Sequence, residues 1–314
     1  MTTLKTKKKV SIVGAGNIGG ALAATIAESG LADVVLLDIN GAAAGKALDL
    51  SQSMAICGSD VDVSHSLSYE ATEGSDVIIV TAGVPRKPGM SRDDLVEINA
   101  SIIKSVAEDV SKHCPKAFVI VLTNPLDTMV GLFQHASKMP HNMVVGMAGV
   151  LDSARMEYFL SQEFGVSKAD VCAMVLGGHG DTMVPMVNYT TVSGIKIMDL
   201  IKKGMSTEGK INEIIERTRN GGAEIVNLLG NGSAFFAPAR SAFKMAKSFL
   251  MDEKKVMPCA AWLNGEYGVK DLYIGVPVVI GAKGVESIIE LELTSEEKKM
   301  FEKSVSAVKE SQIK

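Results

Sequence analysis

Three side chains in this 314-residue chain have the types and spacing for acid–base chemistry beside a bound anion. His179 stands in Gly177-Gly178-His179-Gly180-Asp181, so its imidazole, which titrates near neutral pH, sits on a loop almost free of other side chains. A lone histidine is more often structural than catalytic; what raises this one is its company. Asp152 and Arg155 lie three residues apart on a predicted helix, which puts a carboxylate and a guanidinium on one face. Upstream, residues 82–92 read Ala-Gly-Val-Pro-Arg-Lys-Pro-Gly-Met-Ser-Arg. Prolines stiffen this stretch and glycines can act as its hinges, so it reads as a lid carrying Arg86, Lys87 and Arg92.

A second motif offers backbone rather than side chains. Gly14-Ala15-Gly16-Asn17-Ile18-Gly19 follows the apolar run Lys9–Val13 and precedes a helical pattern. Glycines at those places allow a tight turn and let the backbone approach a pyrophosphate at a helix N-terminus. Alone, G-x-G-x-x-G is a weak signal, but Asp38 ends the next apolar run 19 residues beyond Gly19, close to the dinucleotide fingerprint spacing. Its carboxylate can accept both ribose hydroxyls and would repel a 2′-phosphate, which favours NAD over NADP. FAD, bound by the same kind of turn, is the smaller rival.

In chain order, Gly14 to Gly19, Asp38, Arg86 to Arg92, Thr123-Asn124-Pro125, Leu151-Asp152-Ser153-Ala154-Arg155 and Gly177 to Asp181 resemble the malate and lactate dehydrogenase family. A looser match continues through Ser233-Ala234-Phe235-Phe236-Ala237-Pro238 and a late hairpin. The resemblance implies an α/β fold, a Rossmann doubly wound parallel sheet followed by a mixed α+β catalytic domain, and hydride transfer between NAD and a small 2-hydroxy acid. It makes His179 the general base, and the acid in reverse, with Asp152 holding its tautomer. Arg155 becomes the clamp on the C1 carboxylate, Arg92 the group that polarises the C2 carbonyl under the lid, and Asn124 a hydrogen-bond partner of the substrate oxygen. The implied cofactor contacts are Gly14, Ala15, Gly16, Asn17, Ile18, Gly19, Asp38, Asn99, Leu122, Thr123 and Asn124.

Arg86 occupies the place that resembles the family's selector, arginine in enzymes that meet a second carboxylate and glutamine in those that do not. The expected substrate is therefore (S)-malate, giving oxaloacetate as in the tricarboxylic acid cycle, and the small Ala234 leaves room for it. Lactate or another 2-hydroxy acid is the nearest alternative. An NAD-binding scaffold without catalysis is the alternative of a different class. The Phe235-Phe236 pair and Arg240 depart from the usual pattern without touching this chemistry.

Positioning such residues takes alternating strands and crossover helices. Lys9–Val13, Asp33–Leu37, Val77–Thr81 and Ala117–Leu122 predict parallel strands, and Asn17–Ser29 and Arg92–Lys112 predict helices stopped near Gly30 and Pro115. Beyond about Met147 the pattern predicts a helix from Leu151, a strand Val171–Leu176, and helices Ile211–Leu229 and Ala239–Met251. A hairpin of Tyr273–Gly281 with Val285–Leu293 across Ala282–Gly284 follows, then a helix Ser295–Lys309 capped by Thr294 or Ser295. Two domains, 1–147 and 148–314, are expected, with a cleft between them.

Composition narrows the function classes. At 46% hydrophobic and 22% charged residues the chain has a core to bury, and a net charge of -4 without a basic stripe argues against nucleic acid. Its longest apolar runs fall far short of the roughly 20 residues of a membrane helix, and the polar start lacks a signal core, so a cytoplasmic protein is expected. Cys57, Cys114, Cys172 and Cys259 show no metal-ligand spacing and are expected to be buried reduced thiols, with no metal bound. His65, His113, His135 and His141 are expected at the surface or at caps. The helices Leu48–Ile56 and Ile211–Leu229 could serve a homo-oligomer, a tetramer being favoured over a dimer.

Overall fold

The computed structural model describes residues 7–85 and 92–312, the side chains of residues 92 and 93 excepted. Chain order begins β1 (Lys9–Val13), α1 (Asn17–Glu28), β2 (Asp33–Leu37), α2 (Ala42–Cys57), β3 (Val63–Ser66) and β4 (Val77–Val80). It continues with α3 (Arg92–His113), β5 (Phe118–Val121), α4 (Leu126–Ser137), β6 (Val144–Gly146) and α5 (Gly149–Phe164). Five short strands follow: β7 (Val171–Cys172), β8 (Val175–Leu176), β9 (Val184–Pro185), β10 (Thr191–Val192) and β11 (Ile195–Lys196). The remainder is α6 (Ile197–Lys202), α7 (Glu208–Leu229), α8 (Phe236–Leu250), β12 (Lys255–Asn264), β13 (Lys270–Gly281), β14 (Gly284–Ile288) and α9 (Ser295–Glu310).

Strands that are apolar at every position need cover on both faces, and they receive it. Val10, Ile12, Ile79 and Ile120 pack on one face with Leu22 and Ile26 of α1 and Ala242 and Met245 of α8. Val13, Ile78, Val80, Val119 and Val121 point the other way, against Ile103 and Val106 of α3 and Met129 and Phe133 of α4. The six parallel strands run β3-β2-β1-β4-β5-β6, the Rossmann order, and the sheet then continues antiparallel through β12, β13 and β14. Gly146 pairs with Ala260 where the two halves of the sheet join. A Cβ on Gly146 would lie 3.0 Å from the Ala260 Cβ, so a small residue sets the approach. Although it comes late in the chain, α8 covers the first half's sheet, and its Phe249 stacks on Phe118 at 4.7 Å.

The expected strands of the first half fall within one residue of those observed, whereas β3, β6 and β12 go beyond what the sequence pattern predicts. Pro258 argues against a strand at β12, yet it stands opposite Pro277 in register, so a single cross-strand pair lacks amide donors rather than two. Val171–Leu176 is not one strand. It breaks where the Ala173 N–H donates to the Glu157 carboxylate at 3.2 Å, and the pieces pair separately, β7 with β10 and β8 with β9. The hairpin exists, with Gly281 opposite Gly284, but β14 ends at Ile288 and β13 begins at Lys270. Thr294 caps α9 in a reciprocal box with Glu297.

Only half of the thiol expectation holds: Cys114 and Cys259 are buried, whereas Cys57 ends α2 and Cys172 lies on an edge strand, both exposed, and all four are free. His65 and His135 are exposed. His113 is largely covered and pairs with Glu73 at 3.0 Å, and His141 stacks on Trp262 at 4.1 Å, where burial lowers its pKa. Among the described residues, no helix is long and apolar enough to cross a membrane.

Candidate active site

The loop leaving β8 carries His179 and is fastened to three other elements. Gly177 and Gly275 of β13 exchange main-chain hydrogen bonds at 2.8 and 3.1 Å. The Gly178 N–H donates to Ser304 Oγ of α9 at 2.7 Å, and the His179 N–H donates to Asp127 Oδ2 of α4 at 2.8 Å. A Cβ on Gly178 would come within 2.8 Å of Val308 Cγ2, which is why side chains are missing here. The imidazole is thus set on a rigid mount.

Asp152, in the first turn of α5, places Oδ2 2.8 Å from His179 Nδ1, and its Oδ1 accepts from Arg155 Nη1 at 3.3 Å. With Nδ1–H engaged by the carboxylate, Nε2 is the free nitrogen. Burial by itself pulls the His179 pKa down; Asp152, by charge and hydrogen bond, with help from Asp127 and against Arg155, lifts it above the ordinary value. The His179 side chain keeps 15% of its surface, enough to meet a ligand.

Arg155 lies along α7, where Gly221 and Gly222 make room: a Cβ on Gly221 would lie 3.1 Å from Arg155 Cδ. Glycine inside a helix costs about 1 kcal/mol relative to alanine, and the passage of this guanidinium is the packing reason for accepting it. His179 and Arg155 share a pocket of about 250 Å³ with Ile18, Asn124, Arg219 and Ala234, among others. Arg219, paired with Glu216 on the same helix, lies outside the motifs of the sequence, and so does Asp127. The Gly-Gly pair inside a helical run is the available signal for the first, and the carboxylate three residues past Asn124 for the second.

Across the cleft the glycine turn is shaped by sterics. Gly14 has φ +103° and donates its N–H to Leu37 O at 2.7 Å, and a Cβ there would lie 2.7 Å from the Ala82 nitrogen. A Cβ on Gly19 would overlap the Gly14 carbonyl oxygen. Gly16 has open space around it and begins α1 without a side-chain cap, so no side chain fills the cap position above the amides of Asn17, Ile18 and Gly19. Asp38 accepts the Ala15 N–H at 2.6 Å and the Asn40 N–H at 2.8 Å, which holds it beside the turn. Lys46 of α2, also outside the sequence motifs, donates to Ala15 O at 2.5 Å. An unfilled helix N-terminus, open space at Gly16 and a fixed carboxylate at the end of β2 fit a dinucleotide.

Asn99 is buried, with its amide committed to Val84 at 2.8 and 3.2 Å and to Asn124 O at 2.8 Å; its observed work is to tie Val84, beyond β4, to the segment after β5. Thr123 Oγ1 donates to Ala82 O at 2.6 Å, and Leu122 lines the pocket beside Asn124. Arg86 lies outside the described residues. Arg92 opens α3, with its side chain outside them as well.

A Rossmann sheet with a dinucleotide turn on one side of a cleft and an imidazole–carboxylate pair on the other defines a nucleotide-dependent oxidoreductase. Over residues 8–146 the chain matches the lactate/malate dehydrogenase, NAD binding domain family, and over 149–314 the lactate/malate dehydrogenase, alpha/beta C-terminal domain family. A solved malate dehydrogenase from Cryptosporidium parvum is similar at 49% identity, covering 98% of both chains with a TM-score of 0.95. A lactate dehydrogenase from the same organism, complexed with lactic acid and β-nicotinamide adenine dinucleotide, is similar at 47%, with 98% of both chains covered and a TM-score of 0.95. Malate dehydrogenase from Plasmodium falciparum follows at 41%, 97% of both chains and 0.94. The chain belongs to the lactate/malate dehydrogenase family, and NAD is its cofactor.

Proposed function

We propose that this enzyme is a malate dehydrogenase, interconverting (S)-malate and oxaloacetate. The observation that carries the reading is a pocket of about 250 Å³ that holds the imidazole of His179 and two guanidiniums, Arg155 and Arg219, with the small Ala234 leaving room. The sequence adds Arg86 and Arg92 from the lid. That much positive charge suits a dicarboxylate, because a buried anion needs a counter-charge, and an unpaired arginine facing a methyl group would be costly.

A bound NAD would supply the acceptor for the hydride of C2. His179 Nε2 takes the hydroxyl proton, and Asp152 stabilises the imidazolium that forms. Arg155 grips the C1 carboxylate in the bidentate manner that fixes C2 against the imidazole. Asn124 bonds the C2 oxygen, and Arg92 stabilises its negative charge when the lid excludes water. Gly14, Ala15, Gly16, Asn17, Ile18, Gly19 and Asp38 would hold the dinucleotide, with Asn99, Leu122 and Thr123 shaping the segment beside it. Arg86 meets the C4 carboxylate.

Lactate is the second reading, favoured by the near-equal similarity to enzymes named for either acid. The test is NADH oxidation with oxaloacetate and with pyruvate. Oxaloacetate is expected to give the higher kcat/KM, and Arg86→Gln to lower it by roughly tenfold or more while relatively favouring pyruvate. Faster turnover of pyruvate by the unaltered enzyme would overturn the malate reading.

A further inference from the structure

His179 touches two carboxylates, and the acid–base step above uses one. Asp127, in the first turn of α4, is buried, and its Oδ2 accepts the His179 main-chain N–H at 2.8 Å. Its Oδ1 is buried with no hydrogen-bond partner among the described residues. An anchor for one amide has no need of a charge: an asparagine oxygen would accept the same bond without the desolvation of an ion. What the charge can do is act on the imidazole.

Asp152 does not give His179 its whole charge, because its other oxygen is bound to Arg155 at 3.3 Å. A guanidinium so placed offsets the carboxylate and opposes protonation of the ring. Among the described residues, Asp127 has no such neutralising neighbour. The cavity of about 530 Å³ between α4, the histidine loop and α9 carries Asp127, His179, Asp181 and Glu310 as its charged described groups, with Val96 from α3 and no lysine or arginine. From α5, Asp152 and Arg155 complete the charges that face this pair.

We propose that Asp127 is a positioning residue for the acid–base step, whose carboxylate beneath the His179 main chain supplies the second negative charge that stabilises the imidazolium. Burial pushes the Asp127 pKa up to about 6, with the His179 N–H and imidazolium pulling the other way, so it is anionic at neutral pH and above. The two groups therefore titrate as a coupled pair.

Asp127→Asn keeps the acceptor and removes the charge. Oxidation of the 2-hydroxy acid needs neutral His179, and reduction of the oxo acid needs the imidazolium. The acid limb of kcat/KM for (S)-malate and the alkaline limb for oxaloacetate are both expected to move to lower pH, by roughly half a unit. A loss that is uniform across pH, with both limbs in place, would reduce Asp127 to a loop anchor and overturn the proposal. The unaltered protein provides a check free of any folding defect: with labelled histidine, the NMR signal of His179 is expected to show its own titration and a smaller inflection near pH 6 as Asp127 ionises. A single step would overturn it equally. The inference rests on His179 carrying the proton; turnover retained by His179→Asn would defeat that reading, whereas the NMR titration reports the Asp127 effect independently of it.

Discussion

The two walls of the cleft are built by opposite means. On the cofactor wall, residues 14–19 present backbone, and shape comes from what is missing: a Cβ on Gly19 would collide with the turn itself, and one on Gly14 with Thr81 and Ala82 at the end of β4. The catalytic wall is made of buried charge gathered from afar, with His179 held by Asp152 on α5, by Asp127 on α4 and, through Gly178, by Ser304 on α9. One wall is local and steric, the other non-local and electrostatic. Damage to each should therefore appear in different measurements: cofactor affinity for the first, proton transfer for the second.

The largest expected effect tests whether the walls are separable. His179→Asn removes the proposed proton carrier and should lower kcat by about 10²- to 10⁴-fold, the usual yield of a positioned acid–base group. NADH affinity, followed by fluorescence titration, should change by less than about threefold, since that difference is well under 1 kcal/mol. A parallel loss of NADH binding would show that the histidine loop also builds the cofactor site.

The reverse experiment is Gly19→Ala. The added methyl would overlap the Gly14 carbonyl, so the turn must shift. A rise in the NADH Kd of roughly tenfold, about 1.4 kcal/mol, is expected. The NMR titration of His179 should stay where it is in the parent. Movement of that titration would mean that strain crosses the cleft.

The same contrast explains what could be read from the sequence. Lys9–Val13, Gly14 to Gly19 and Asp38 are neighbours in the chain, so spacing alone locates the turn, its strand and its helix. His179, Asp152 and Arg155 are legible as residue types, and the structure puts them within hydrogen-bonding reach along one line. Asp127, Arg219 and Lys46 fall outside the motifs, because each matters through burial or a contact with a distant element: Asp127 with His179, Arg219 in the pocket beside Arg155, and Lys46 with the Ala15 carbonyl. Likewise β12 is hidden by Pro258, whose tolerance depends on a partner strand twelve residues long. Local sterics are written in local sequence, and charge pairing across the fold is not.

The smallest effect concerns stability, and it asks whether the catalytic wall carries its second charge at a cost. The folded pKa of Asp127 is raised, to about 6, above the 3.8 of an ordinary carboxyl. A group shifted in that direction contributes stability that is fully present below about pH 4 and is lost as pH rises through about 6. The raised pKa of His179 acts with the same sign, its contribution being present below the ordinary histidine range and lost above it. Asp127→Asn removes the first contribution and weakens the second. Relative to the parent, the variant should therefore gain stability between about pH 5 and about pH 7.5, by roughly 1–2 kcal/mol, because a carboxyl whose pKa moves from 3.8 to about 6 has already lost about half of its roughly 3 kcal/mol by pH 5. Paired melting curves at the two pH values should show the Tm difference moving by a few degrees in the variant's favour. A gap that does not change with pH would mean that Asp127 does not change its charge in this range and is not coupled to the titration of His179.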